Sequence, residues 1–352
     1  MGWIFHAIFM NEGKLAAQRE GRPWTSLERG EQWRQAWTTG PVELGRSLRK
    51  VAPAAFGMSL AFMGVTIVLG AFRWRMALRV HGLDLSFGRT LEISLVAHFF
   101  NSFMLGNTGG DVMKAYYAAR ETHHKKAEAV AAVMVDRLIG LWSMLLFGGL
   151  LMVPSVQLIL QNDKLGATAA VVLAMLCGCS LVVLLAFWGG VSRRWAGARE
   201  LLRRLPKGDW FERLLDSCRE FGRAPGFLLK ALGLSMLLNA VCVGQYVTLA
   251  WGLNLEVPPL TIFLVVPMVT FISALPFTIG GLGVRENLFV TLLGIPAIVP
   301  PLGAHATTAL SLSLLAYAGS LCWSLVGGLV YATLRDRHHL KDVGSEVEAP
   351  SS

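Results

Sequence analysis

Leu138-Ile139-Gly140-Leu141-Trp142-Ser143-Met144-Leu145-Leu146-Phe147-Gly148-Gly149-Leu150-Leu151-Met152-Val153-Pro154 opens a stretch that continues to Asn162 without one Asp, Glu, Lys or Arg. A helix crosses the roughly 30 Å hydrocarbon core of a bilayer with about 20 apolar residues, so this stretch is long enough to span. Similar charge-free runs occur at Val51–Phe72, Ile93–Gly110, Leu165–Ser192, Ala231–Leu255, Val257–Val284 and Asn287–Leu334. The last is long enough for two crossings, and Gly294-Ile295-Pro296 with Pro300-Pro301 supplies a break between them. The pattern predicts an all-α polytopic membrane protein with about seven to eight transmembrane segments, some of them re-entrant.

Composition points the same way. Apolar residues make up 54% of the 352-residue chain and charged residues 16%, with a mean hydropathy of +0.52. Soluble domains carry roughly 25% charge, so the chain lacks the polar surface that a water-exposed globule needs. Disorder, collagen and a disulfide scaffold are excluded by the same figures. The five cysteines (Cys177, Cys179, Cys218, Cys242, Cys322) show no zinc or haem spacing and read as small core residues. No metal or other cofactor is expected, and no disulfide. A net charge of +9, from 32 Lys+Arg against 23 Asp+Glu, suits loops facing anionic lipid rather than nucleic acid.

Loop charge sets the expected orientation. The segment after Gly190 holds Arg193, Arg194, Arg199, Arg203, Arg204, Lys207, Arg213, Arg219 and Arg223 and is expected to be cytoplasmic. The loop Asn254–Pro259, with Glu256 alone, belongs outside. Arg335, Arg337 and Lys341 put the C-terminus inside. Lys14–Lys50 and Arg73–Arg89 are both basic, so loop charge does not orient the N-terminal half. The expected division is residues 1–50 as a truncated first span (Met1–Met10) with a polar, interfacial loop, 51–335 as the transmembrane domain, and 336–352 as a short tail. Within the domain, 191–226 is an amphipathic cytoplasmic linker. There Asp209 and Glu212 open a helix whose Trp210, Phe211, Leu214, Leu215, Cys218 and Phe221 share a face, either on the inner leaflet or against the protein itself. Residues 343–352 are acidic, rich in small side chains and expected to be disordered.

Two glycine turns resemble one another. Residues 100–111 run from Phe100 through Asn101, Ser102 and Gly109-Gly110 to Asp111, and residues 271–282 from Phe271 through Ser273 and Gly280-Gly281 to Leu282. At a constant offset of 171 residues (280 − 109) Phe, Ser and both glycines coincide, and Lys114 falls opposite Arg285. The three crossings between them are odd in number, which predicts an inverted repeat with two Gly-Gly re-entrant or broken-helix elements. Glycine pairs at membrane depth permit close backbone approach and free N–H groups for an anion such as a phosphate headgroup. Helix C-caps at the membrane surface are the plainer alternative.

Charges sit where apolar residues are expected. Ala129–Val135 runs into Asp136-Arg137, which runs into Leu138. In a helix from Glu128, Asp136 lies about 12 Å along. Adjacent helical residues do not face one another, so each charge needs a partner elsewhere, with Asp111, Lys114, Arg285 and Glu286 as candidates. Charge at that depth costs at least about 3 kcal/mol per residue on insertion scales and marks a functional site. The alternative is an interfacial pair snorkelling to the headgroups. The expected path has Arg137, Lys114 and Arg285 compensating lipid phosphate, with Asp111, Asp136 and Glu286 pairing those cations when it is empty. His123-His124 followed by Lys125-Lys126 lacks further ligands at metal spacing and reads as a solvated face.

Taken in order, Arg73-Trp74-Arg75, Phe99-Phe100-Asn101, Gly109-Gly110-Asp111, Asp136-Arg137-Leu138-Ile139-Gly140 and Gly280-Gly281-Leu282-Gly283-Val284-Arg285-Glu286 resemble the lysylphosphatidylglycerol synthase transmembrane-region family of flippase-like proteins. The resemblance covers roughly residues 51–335. It implies a lipid-handling inner-membrane protein and roles for Asp111, Asp136, Arg137, Arg285 and Glu286; Asn101, Gly109, Gly110, Lys114, Gly280 and Gly281 complete the expected headgroup path. Two positions depart from the family pattern: the leading span is shortened to Met1–Met10, and the first turn reads Leu105-Gly106-Asn107 where Pro-Gly is frequent. Few residues follow the last span, so the aminoacyl-transferase domain of the bifunctional synthase is not expected.

The leading expectation is therefore a flippase or transporter that moves an anionic phospholipid or lipid-linked headgroup between leaflets of the inner membrane. A secondary transporter of a small solute is the alternative. A headgroup-modifying enzyme ranks lower, since no Gly-x-Ser-x-Gly, His-Glu-x-x-His or acidic metal cluster is present. No nucleotide-binding glycine loop occurs either, so energy would come from a gradient or a partner. Expected partners are membrane lipids, with a second copy of the chain or a separate lipid-synthesising enzyme as protein partners. Gly148-Gly149 and Gly327-Gly328 are suited to pack helices within or between protomers.

Overall fold

The computed structural model describes residues 27–49, 51–103, 109–121, 126–187, 220–274, 283–295 and 306–347, with isolated positions between 6 and 24. Every regular element among them is helical: α1 (Arg29–Arg49), α2 (Pro53–Val80), α3 (Phe87–Phe103), α4 (Gly109–Glu121), α5 (Lys126–Met152), the short α6 (Val156–Leu160), α7 (Asp163–Phe187), α8 (Pro225–Gly252), α9 (Pro259–Ala274), α10 (Val284–Leu293) and α11 (Ala306–Val347). Pro53 and Pro225 each occupy a first turn, where the missing N–H costs nothing. At the other end of α2, Gly82 takes φ 68°, a left-handed conformation that ends the helix.

Five stretches are long and apolar enough to cross a membrane: Pro53–Val80, Lys126–Leu160, Asp163–Leu181, Pro225–Gly252 and Thr307–Thr333. The apolar α9 is shorter, at 16 residues. Half of the apolar window of α11 is buried, against 17% for α2, α7 and α8. The last helix is thus the central post, and the others turn apolar faces outward. Leu229 of α8 and Leu181 of α7 are 73% and 58% exposed on those faces. Such exposure is unfavourable in water and neutral in lipid, so the bilayer is the solvent that this surface fits.

Direct contacts fix the course of the chain. The Ala52 N–H donates to the Gly252 carbonyl at 3.1 Å, Phe62 lies against Gly244, and Arg73 bonds Ser235 at 2.9 Å, so α2 and α8 run antiparallel. Asn101 meets Gly110 and Arg89 meets Glu121, which makes α3 and α4 a helical hairpin. A Cβ on Gly327 would collide with the Leu95 carbonyl, and one on Gly328 would reach Phe99 at 3.0 Å. Gly148 faces Pro267, and Gly149 faces Leu176. Both glycine pairs therefore pack helices within this chain.

Several expectations change. The second helix does not stop at Phe72 but continues to Val80, carrying Arg73 into the interior. Met76, Ala77 and Leu78 extend the apolar face beyond the charges, and Gly82 marks the true end. The region read as an interfacial loop carries the 21-residue α1, whose Ala36 packs with Phe9 and Leu310. The tail expected to be disordered from Val343 is helical to Val347, continuing α11 through a stretch with no proline before Pro350. Cys177 and Cys322 are exposed on apolar faces rather than packed in the core. Gly280-Gly281, His123-His124, Lys125 and the amphipathic segment up to Arg219 lie outside the described residues.

Candidate functional site: a charged cavity beside the first glycine turn

A cavity of about 290 Å³ opens where α2, α3, α4, α5 and α8 converge, with Ala274 at the end of α9 closing one edge. Its polar lining is Arg73, Ser94, His98, Asn101, Asp111, Lys114, Asp136, Arg137 and Asn239. The first glycine turn shapes one wall. A Cβ on Gly110 would run into the Ala97 carbonyl and approach the Asn101 side chain at 2.7 Å, so glycine alone lets α4 close on α3. The Gly110 N–H then donates to Asn101 Oδ1 at 2.7 Å, satisfying an otherwise orphaned donor of the first turn of α4.

Asp136 anchors the opposite wall. Arg73 Nε donates to Asp136 Oδ1 at 2.7 Å, Nη2 to the Asp136 carbonyl at 3.2 Å and Nη1 to Ser235 Oγ at 2.9 Å. Ser235 in turn donates to the Ala231 carbonyl at 2.7 Å. The guanidinium is thus engaged on all three nitrogens, and breaking such a buried pair by removing one partner costs about 3–5 kcal/mol. Gly140 makes room for it: a Cβ there would sit 2.9 Å from Arg73 Nη2.

The remaining charges are held more loosely. Lys114 Nζ lies 3.7 Å from Asp136 Oδ2 and 5.1 Å from the centre of the Trp74 ring, a cation–π arrangement. Arg137 Nε approaches Asp111 Oδ2 at 3.6 Å, and both side chains are about one-third exposed. Three cations (Arg73, Lys114, Arg137) against two carboxylates (Asp111, Asp136) leave a formal charge of +1 on the cavity wall. His98 reaches across to α11, its Nε2 3.2 Å from the Ser320 carbonyl.

Of the residues expected to act together, Asn101, Gly110, Asp111, Lys114, Asp136 and Arg137 do converge, and Gly109 stands beside them at the start of α4. Arg285 and Glu286 do not join them. Arg285 donates through Nη2 to Glu286 Oε1 and through Nε to Ser313 Oγ, each at 2.8 Å. Ser313 donates to Glu286 Oε1 at 3.0 Å, and the Gly283 N–H, at φ 96°, donates to Glu286 Oε2 at 2.6 Å. Tyr317 covers the guanidinium at 5.1 Å. Adjacent residues pair here after all, because the side chains meet over Ser313 of α11 rather than along their own helix.

Arg73, Ser235 and Asn239 were not anticipated as site residues. Arg73 was assigned to a loop, although the apolar residues beyond it continue the helix. Asn239, a lone amide between Leu238 and Ala240, carried the signal of a polar residue inside an apolar span.

Among curated proteins, none matches the chain. The family described as the lysylphosphatidylglycerol synthase TM region matches residues 32–333, beginning within α1 rather than at residue 51. With the match spanning most of the sequence, and with the Arg73–Asp136 pair, the Gly109-Gly110 turn and the Arg285–Glu286 pair all inside it, the chain belongs to the lysylphosphatidylglycerol synthase transmembrane-region family.

Proposed function

We propose that the protein is a lipid flippase or transporter that moves an anionic phospholipid or lipid-linked headgroup between the leaflets of the inner membrane, and that it acts by translocation rather than by catalysis. The observation that carries this reading is the cavity itself: a pocket whose described lining has a formal charge of +1, set where α2, α5 and α8, each long and apolar enough to span, meet α3 and α4. Electrostatic pairing in a poorly solvated pocket is worth more than at a surface, so a phosphate that replaces Asp111 beside Arg137 gains a site that water alone does not offer. Arg73 and Asp136 are the fixed part of that site, and Lys114 and Arg137 are the cations that face the ligand. Membrane lipids are the partners this reading requires, and a cytoplasmic C-terminus is the orientation it takes.

Helix positions support an inverted repeat as the engine. Shifted by 171 residues, Pro53–Val80 falls at 224–251, beside α8 at Pro225–Gly252, and Phe87–Phe103 falls at 258–274, beside α9 at Pro259–Ala274. The antiparallel seam between α2 and α8 is what inversion demands. On this reading one half rocks against the other around the charged cavity.

The test is a leaflet assay in proteoliposomes with labelled anionic and zwitterionic lipids, wild type against Arg137→Ala. Headgroup-selective movement that disappears in the folded variant is the expected result. Equal movement in both proteins would sink the role of Arg137, and no movement of any lipid by folded wild type would favour a small solute as the cargo.

A further inference from the structure

Asn239 is out of place in its own wall. The residue lines the charged cavity from α8, yet its Nδ2 is shut off from solvent and meets no acceptor among the described residues. A buried donor without a partner bears the full cost of desolvation, and native structures keep such groups where another state or a ligand satisfies them. The nearest hydrogen-bonding neighbour on the same helix, Ser235, is already committed to Arg73 and to the Ala231 carbonyl. Across the cavity, Asn101 spends its Oδ1 on the Gly110 N–H, which leaves its amide as donor capacity. Both amides thus have a donor to spare, and the two carboxylates already face cations.

We infer that the cavity selects a phosphodiester lipid with a small, uncharged, hydroxyl-bearing headgroup, and that Asn239 is the residue that reads that headgroup. This rests on the translocation reading above and narrows it. A phosphodiester carries one negative charge, which balances the +1 of the lining. A headgroup that adds an ammonium brings a fourth cation beside Arg73, Lys114 and Arg137 and leaves the +1 of the lining uncompensated. Hydroxyl and phosphate oxygens, by contrast, are acceptors for Asn239 Nδ2 once its amide turns toward the ligand. Size argues likewise: about 290 Å³ is at the lower end of ligand sites, which run from roughly 300 to 1,000 Å³. It holds a phosphate with a glycerol-sized head and has no room for an oligosaccharide.

The experiment uses full-length protein in proteoliposomes with acyl-labelled phosphatidylglycerol and phosphatidylethanolamine, comparing wild type, Asn239→Leu and Asn239→Asp. Wild type is expected to move phosphatidylglycerol at least about tenfold faster, and Asn239→Leu to lose most of that preference, the change a hydrogen bond to a charged acceptor produces. Thermal unfolding separates this from a packing role. Because Asn239→Leu removes an unsatisfied donor, its melting temperature holds or rises, whereas a residue needed for the fold would lower it. Asn239→Asp, similar in shape but negative, is expected to repel the phosphate and slow movement further. Equal rates for both lipids in wild type, or an unchanged preference in Asn239→Leu, overturn the inference while leaving translocation standing. If wild type moves neither lipid but binds soluble glycerophosphoglycerol, a phosphodiester without acyl chains, in an Asn239-dependent way, the headgroup chemistry stands and translocation falls.

Discussion

The two cation-bearing turns follow one plan and reach opposite outcomes. In the first, Lys114 and Arg137 find their carboxylates on other helices at 3.6–3.7 Å, and a cavity remains between them. In the second, Arg285 finds its carboxylate on the next residue at 2.8 Å, Ser313 bridges the pair and Tyr317 caps it. A salt bridge made between elements leaves room for a ligand to take one partner's place. One made within a single turn, bridged and capped, leaves none. On the proposed reading, the first cluster is the one a ligand exchanges with and the second the one that stays in place.

That contrast can be broken, and the largest effect is expected at the fixed pair beneath the cavity. Arg73→Met strands Asp136 in the interior and should cost about 3–5 kcal/mol, measured as loss of thermal stability in detergent. Adding Asp136→Leu should return most of it, and failure to do so would show that Arg73 contributes more than its pairing. Next comes the sealed cluster. Glu286→Gln keeps the shape but removes the charge from Arg285, for an expected loss of about 2 kcal/mol and little change in headgroup selectivity. A smaller effect is expected from Gly140→Ala, about 1 kcal/mol, because the new Cβ displaces the end of the Arg73 side chain rather than backbone. The smallest change in stability belongs to Arg137→Ala. Its partly exposed pair contributes about 0–1 kcal/mol, so the melting temperature should barely move while lipid transport is lost. A large destabilisation by Arg137→Ala would erase the distinction between the fixed and exchangeable charges.

Much of this was legible in the sequence because apolar length and charge depth are local properties. The runs at Leu138–Asn162 and Ala231–Leu255 fall on the helical stretches Lys126–Leu160 and Pro225–Gly252, overrunning their ends by two and three residues, and Asp136 was recognised as anomalous from its neighbours alone. Partnership was not legible. The predicted partners of Asp136 included Lys114 but omitted Arg73, since whether a charge near the end of an apolar run ends the helix or is carried inside depends on the residues packed around it. Here those residues are Ser235 and Gly140, 162 and 67 positions away in the chain (235 − 73 and 140 − 73). The separation of Arg285 from the cavity has the same origin: it depends on Ser313, a hydroxyl unremarkable within its apolar run. Asn239, like Gln245 on the same helix, stood out as an amide in an apolar span, and its significance emerged once the cavity around it was defined.

Gly327 has a mechanical consequence. With its backbone against the Leu95 carbonyl and Phe99 filling the space beside Gly328, α3 and α11 meet backbone to backbone at Gly327, with no side chain at that point to slide or re-pack. His98 and Ser320 pin the same seam. The two helices therefore form one stiff spar, and any hinge that admits a ligand has to lie on the far side of the cavity from it. On the translocation reading, movement is taken up across the α4–α5 ion pairs at 3.6–3.7 Å, while the glycines keep the spar rigid.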